Sequence, residues 1–144
     1  MIKSLATHEN DLEEGKELQL DFDKLMKAVA QCPKAIPVAV QDVDSKNLIL
    51  VAYTNEEALR ESIKTRIATF WSTSKNALWV KGETSGNYFE MLEVFVNCEQ
   101  NSLLYLVRPK KEGICHTRNN SGRARNCFYR RLDFESGKLE KVDP

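Results

Sequence analysis

From residue 35 to residue 108 the chain is cut by polar turns into short apolar runs, and this punctuation restricts the fold more than any other feature. Residues 35–43 and 48–53 are almost wholly apolar and are joined by Asp44-Ser45-Lys46-Asn47, which predicts a buried hairpin. Four further β-like pieces follow, at residues 68–71, 77–81, 88–98 and 103–108. The turns between them are Ser74-Lys75-Asn76, residues 82–87, and Glu99-Gln100-Asn101, so the middle of the chain is expected to be a meander. In the third piece Leu92, Val94, Val96 and Cys98 alternate with period two, which predicts one inward row ending at Cys98 beside a tight turn.

Helices are few. Asp21 is placed to cap one that carries Leu25, Met26, Val29 and Ala30 and is ended by Pro33 and Pro37. Cys32, just before Pro33, reads as a buried helix-end residue without a function. Asn55 can cap a second helix, with Glu56 and Glu57 at the positive end of its dipole and Glu56 one turn before Arg60. Ala58, Leu59, Ser62 and Ile63 share one face of it. A chain of 144 residues that is 42% hydrophobic can bury one core, and no internal repeat, linker or low-complexity tract suggests a second. The expectation is a single α+β domain, mostly antiparallel sheet with one or two helices.

Lysines and arginines number 21, as do the acids, so the molecule as a whole has no net pull on nucleic acid or an anionic membrane. The charge is unevenly spread. Residues 1–23 hold seven acids against Lys3 and Lys16, whereas residues 108–131 hold eight Lys or Arg against Glu112. The acidic start lacks the apolar run of a secretory signal, and no later stretch is long enough to span a bilayer, which predicts a cytoplasmic protein without a membrane partner.

In a reducing compartment four cysteines are expected as metal ligands, reactive thiols or core residues rather than as disulfides. Cys98, Cys115 and Cys127 are separated by sixteen and eleven residues, which matches no compact zinc-finger spacing and leaves three unrelated core thiols as an alternative. The surroundings favour metal. Cys115 lies in a polar, basic loop at residues 110–125, longer than compact domains usually tolerate without a function, and His116 follows it directly. Three thiolates can hold zinc and leave a fourth position for water, the arrangement of a hydrolytic site. His116 is then the imidazole available for acid–base work near neutral pH, since His8 lies in the terminal segment. The loop delivers Cys127 to an expected final strand at residues 128–132.

The hairpin and turn at residues 70–87 gather hydroxyls, Lys81, Glu83 and two glycines into a polar wall. A Thr84-Ser85 pair before Gly86 lets main-chain N–H groups approach an anion, with Lys81 as a point charge; the alternative is an ordinary solvated turn.

This segment, with residues 37–42, residues 52–59, Cys115-His116-Thr117 and Cys127-Phe128-Tyr129-Arg130, resembles the phosphoribosyl-AMP cyclohydrolase family. The motif Trp-Ser-x-Ser followed by Leu-Trp-x-Lys-Gly-Glu-x-Ser-Gly-Asn is long and family-specific. The resemblance covers residues 35–132, between an N-terminal extension with a helix at 1–34 and a C-terminal tail at 133–144. It implies opening of the adenine ring of phosphoribosyl-AMP between N1 and C6 in histidine biosynthesis, by a homodimer with shared active sites. It also implies zinc held by Cys98, Cys115 and Cys127 across the subunit interface. Trp71, Ser72, Ser74, Lys81, Glu83, Thr84 and Ser85 would bind the phosphorylated purine nucleotide, and the basic stretch would offer counter-charge to its two phosphates.

Two departures stand out. The family surrounds its first zinc cysteine with magnesium-binding carboxylates, as Asp-Cys-Asp-x-Asp, whereas here the run is Asn97-Cys98-Glu99-Gln100-Asn101 and Glu99 alone remains as a magnesium ligand. Magnesium prefers anionic oxygen, so its site is expected to be weakened. Between the last two cysteines the chain also inserts about five residues, near 118–122. Both changes leave room for a related zinc cyclohydrolase or deaminase acting on another purine nucleotide. A zinc-stabilised RNA-binding module is a third reading, disfavoured by the neutral charge and the lack of a clustered aromatic stacking face.

Overall fold

The first apolar runs pair as their composition requires. In the computed structural model, which describes residues 11–31, 34–111 and 117–144, strand β1 (Ile36–Asp42) runs antiparallel to β2 (Leu48–Thr54). Their turn is tied by the Asp42 carboxylate, which accepts from the Asp44 N–H at 2.9 Å, while Lys46 takes a left-handed φ of 65°. After β2 the chain enters a helix. Before it comes α1 (Lys24–Gln31), preceded by the Asp21 carboxylate accepting from the Lys24 N–H at 3.0 Å. The second helix, α2 (Glu56–Thr65), has Asn55 as N-cap, accepting from the Ala58 N–H at 2.9 Å, and carries the Glu56–Arg60 pair on its outer face. Ala58 and Ser62 are buried, whereas Ile63 stays exposed, so the apolar face is narrower than its sequence pattern.

Strands β3 (Thr69–Ser72) and β4 (Ala77–Val80) form their own two-stranded sheet. Strands β5 (Phe89–Val96) and β6 (Leu103–Pro109) pair antiparallel, and β6 then lies parallel to β1, giving a four-stranded sheet in the order β2-β1-β6-β5. The expected meander is therefore broken. Residues 103–107 are apolar enough for an interior position, so they take the place beside β1 that a meander would have given to β3. The architecture is a single α+β domain dominated by antiparallel pairing.

One face of the four-stranded sheet makes the core. Val38, Val40, Leu50, Ala52, Leu103, Tyr105, Val107 and Met91 are buried there together with Phe70 of the second sheet and Ala68 just before it. Phe70 stacks on Tyr105 with centroids 5.8 Å apart, and burying a side chain of its size contributes roughly 2–3 kcal/mol. Burial drives the Tyr105 pKa upward, partly opposed by the Thr54 and Ser62 hydroxyls.

The predicted inward row of β5 is not the observed one. A bulge between Met91 and Glu93 resets the alternation, so Phe89 and Met91 are buried while Leu92 is exposed. Val94 and Val96 do oppose Tyr105 and Leu103, but their end of the strand is uncovered, and Cys98 is exposed in the turn beyond.

A further strand follows the one expected last. Strands β7 (Arg130–Leu132) and β8 (Leu139–Lys141) form a hairpin, so the C-terminal segment folds back instead of trailing. The acidic start of the chain docks on it. The Arg125 guanidinium, only 2% exposed, meets the Glu14 carboxylate at 2.7 Å and donates to the Asp143 carbonyl at 2.8 Å. Lys141 also pairs with Glu14, Lys138 with Glu17, and the Tyr129 hydroxyl donates to the Glu13 carbonyl.

Candidate active site

Loop 82–87 needs glycine for geometric reasons. Gly82 has φ +99°, and a Cβ there would lie 2.4 Å from the Tyr88 nitrogen, so a side chain at this position collides with main chain. The loop closes with the Gly86 N–H donating to the Gly82 carbonyl at 2.7 Å and the Glu83 N–H to Val80 at 3.2 Å. The Asn87 N–H donates to Ser85 Oγ at 3.2 Å. The Thr84 and Ser85 amides take no part in these bonds, and Glu83, Thr84 and Ser85 are all exposed. A glycine-bounded loop whose Thr84 and Ser85 residues are exposed suits an anion.

The hairpin beside this loop carries the other expected contacts. Trp71 is half-buried and donates from Nε1 to Asn76 Oδ1 at 3.2 Å, and the Ser72 and Ser74 hydroxyls stand 3.2 Å apart. The Lys81 ammonium lies over the rings of Trp79 and Phe89, at 5.7 and 5.5 Å. Trp71 pairs with Leu78 while Phe70 pairs with Trp79, so by alternation Trp71 stands on the hairpin face opposite to Trp79 and the Lys81 ammonium that covers it.

Two residues not singled out in the sequence matter here. Asn87, 5% exposed, accepts from the Lys111 N–H at 2.6 Å, and Lys111 Nζ reaches the Ser85 carbonyl at 3.2 Å. The glycine loop is thus fastened to the strand end that leads toward Cys115. A buried amide directly after Gly86 was the available signal. Cys115 and His116, with Cys32 and His8, lie outside the described residues. Thr117, on the far side, is buried and accepts from the Arg125 N–H at 3.1 Å.

Cys127 and Cys98 sit far apart. The Cys127 N–H donates to the Ile49 carbonyl, which places it beside β2 at the end of the sheet that also carries the glycine loop. Cys98 follows β5 at the opposite edge and the opposite end. Three strand spacings separate the edges, about 14 Å, whereas zinc–sulfur bonds of about 2.3 Å hold two ligands within about 5 Å. Among the described residues no three His, Cys, Asp or Glu side chains are grouped closely enough to hold a metal ion. Each cysteine taken singly suits zinc: both thiols are exposed and neither is in a disulfide.

Magnesium fits less well. In the turn after β5, Asn97 Oδ1 accepts from the Asn101 and Ser102 N–H groups at 2.9 and 3.0 Å, and Asn97 Nδ2 donates to Asn101 Oδ1 at 2.6 Å. Both amide oxygens are engaged, leaving Glu99 as the one carboxylate of the run.

The inserted segment is a tight hairpin, with Arg118 bridged to Ala124 and the Asn119 N–H donating to Arg123 at 2.8 Å. It is held to the C-terminus through Asn119 and Asp143, and it borders a cavity of about 420 Å³ reached by Asn126 and Phe128 on either side of Cys127. Much of the basic stretch is committed internally: Arg108 pairs with Asp44, Arg125 with Glu14 and Arg131 with Glu140. It offers less counter-charge to a ligand than its composition suggested.

Similarity to known proteins places the chain in a class of hydrolases that act on a cyclic amidine. A family model described as phosphoribosyl-AMP cyclohydrolase matches residues 50–129, and the chain belongs to that family. It is 48% identical over 98 residues to the phosphoribosyl-AMP cyclohydrolase of Archaeoglobus fulgidus, covering 68% of this chain and 85% of that one. The protein of that name from Hyphomonas neptunium is 41% identical over 123 residues, 84% of this chain and 82% of the relative. The histidine biosynthesis bifunctional protein HisIE of Aquifex aeolicus is 39% identical over 109 residues, which make up 76% of this chain and 50% of that protein. No helix among the described residues is long and apolar enough to cross a membrane.

Proposed function

We propose that two copies of the chain combine to open the purine ring of phosphoribosyl-AMP between N1 and C6, with zinc between Cys98 of one copy and Cys115 and Cys127 of the other. The observation that carries this reading is the placement of Cys98 and Cys127 at opposite edges and ends of one sheet, too far apart for a common ion within a single copy. The sheet's second face supports the pairing. Val51 and Phe95 there are 51% and 50% exposed, apolar side chains that a second copy would cover.

Zinc, were it held there by Cys98, Cys115 and Cys127, would supply Lewis-acid activation of the attacking water. The chain's own groups do the rest. The Thr84 and Ser85 amides and Lys81 hold phosphate, the Trp71 hairpin orients the nucleotide, and His116 delivers the proton that N1 needs as the C–N bond breaks.

Purified protein should contain zinc and convert phosphoribosyl-AMP. Zinc-loaded protein that gives no product would overturn the reading. Cys115→Ser should lose zinc and activity together, whereas His116→Ala should keep zinc and lose about 10²- to 10⁴-fold in rate. A second reading, hydrolysis of another purine nucleotide, is favoured by the polar cavity that the inserted hairpin builds beside Cys127. A panel of purine nucleotides distinguishes the two.

A further inference from the structure

The turn that carries Cys98 is closed by main-chain bonds from the Asn97 N–H to Ser102 at 3.2 Å and the Gln100 N–H to Asn97 at 3.0 Å, and by a pair of side-chain amides in an arrangement that dictates their chemistry. Asn97 Oδ1 faces two main-chain N–H groups, so its oxygen is fixed on that side and its NH₂ must face Asn101 Oδ1, 2.6 Å away. An aspartate at position 97 would keep both main-chain bonds but would put its second oxygen where the NH₂ now stands. With an aspartate at 101 as well, two carboxylate oxygens would meet at hydrogen-bond distance, which is tolerated only with a shared proton or a cation between them. Gln100 adds to the strain on this turn, because it holds a left-handed φ of 55° without being glycine or asparagine.

We infer that the Asn97–Asn101 amide bond replaces a divalent cation as the closure of this turn, so that Cys98 is positioned without magnesium. One N–H···O bond supplies the attraction that a cation supplies between paired carboxylates, and it consumes the very oxygens that magnesium would need. Glu99 points from the same turn, and one exposed carboxylate on its own falls short of the several oxygen ligands a divalent cation requires. Only the importance of Cys98 rests on the cyclohydrolase reading. The closure itself is tested without substrate.

The test uses the full chain loaded with zinc, as the natural sequence, Asn97→Asp, Asn101→Asp and the double variant. Each is measured with and without millimolar magnesium at matched ionic strength. Thermal unfolding and zinc content are followed together, and manganese binding is read by electron paramagnetic resonance. The natural protein should show the same Tm and zinc content in both buffers and no saturable manganese binding. Each single variant should behave likewise, because the remaining amide turns its NH₂ toward the new carboxylate. The double variant should unfold about 4 °C or more lower without magnesium, recover with it, hold zinc more weakly in its absence, and bind manganese. Saturable manganese binding by the natural protein that also raises its Tm would overturn the inference, as would a double variant indifferent to magnesium. If the double variant does not fold in either buffer, the natural protein and Asn101→Asp decide: sensitivity of either to magnesium overturns the proposal, and insensitivity of both supports it.

Discussion

The two ends of the four-stranded sheet are built on different principles. At the end where β5 begins, loop 82–87 is locked from inside: a glycine that admits no side chain, and a buried Asn87 whose side-chain oxygen accepts from the Lys111 N–H, next to the Lys110 N–H bond to the Tyr88 carbonyl. At the end where β5 finishes, the turn bearing Cys98 is exposed and held by two main-chain bonds, Asn97 N–H to Ser102 and Gln100 N–H to Asn97, together with the Asn97 and Asn101 side-chain amides. A loop fixed by its own domain can be completed by one chain, whereas under the proposed pairing a turn projecting from an uncovered strand end would gain its environment from a second copy. The apolar flank of that strand, Val94, Val96 and Phe95, is exposed in the same region, as a surface awaiting a partner would be.

The sharpest way to break this contrast is to divide the two ends between two chains. Cys98→Ser and Cys127→Ser should each abolish zinc binding and activity when alone. Refolded or co-expressed together, they should regain about a quarter of natural activity. Half of the randomly formed pairs are mixed, and in each mixed pair one of two symmetry-related sites keeps every thiol. Activity staying at background in the mixture, with mixed pairs demonstrated by mass, would place all the ligands within single chains.

A smaller effect is expected at the locked end. Gly82→Ala introduces a Cβ against the Asn87 and Tyr88 main chain at a positive φ, which should cost roughly 2 kcal/mol or more. It should also raise KM for the nucleotide, by moving the Thr84 and Ser85 amides. Equilibrium denaturation and steady-state kinetics measure the two separately. A Gly82→Ala protein with natural stability and KM would show that the loop is not held by this close approach. The corresponding small change at the exposed end, Glu99→Gln, should leave stability within about 0.5 kcal/mol.

How much of this was legible beforehand differs between the ends for a physical reason. The β1–β2 hairpin, the Asn55 cap and the Glu56–Arg60 pair are local, and local patterning located them. The hairpin that carries Trp71 to Lys81 is likewise local, but which of its side chains share a face depends on the Phe70–Trp79 register, which sets Trp71 and Lys81 on opposite sides. Alternation failed in β5 because a bulge inserts one residue, and nothing in Met91-Leu92-Glu93 announces it. The parallel pairing of β6 with β1 joins segments more than sixty residues apart, which no turn signal encodes. The separation of Cys98 from Cys127 follows from that same pairing, so spacing along the chain could not reveal it. The acidic start and the basic stretch were each visible as charge, but only the fold shows Glu14 seated on Arg125.

That last contact yields the mildest prediction, and it bears on the locked end because Arg125 lies two residues before Cys127. The Glu14 carboxyl is held below its ordinary 4.5, first by hydrogen bonding to Arg125 and then by Lys141, with burial opposing. A depressed carboxylate pKa stabilises the fold fully above the unfolded value and loses that contribution as pH falls through the folded one. The N-terminal strap should therefore stay docked from neutral pH down to about 4.5 and loosen below it. Because Glu14 is 38% exposed, Glu14→Gln should cost no more than about 1 kcal/mol near pH 7. The gap in Tm between the variant and the natural chain should narrow as the pH falls below 4.5 and the natural Glu14 takes up its proton. A gap that is constant from pH 7 to pH 3 would show that Arg125 is held by Asp143 and Tyr129 without help from the acidic segment.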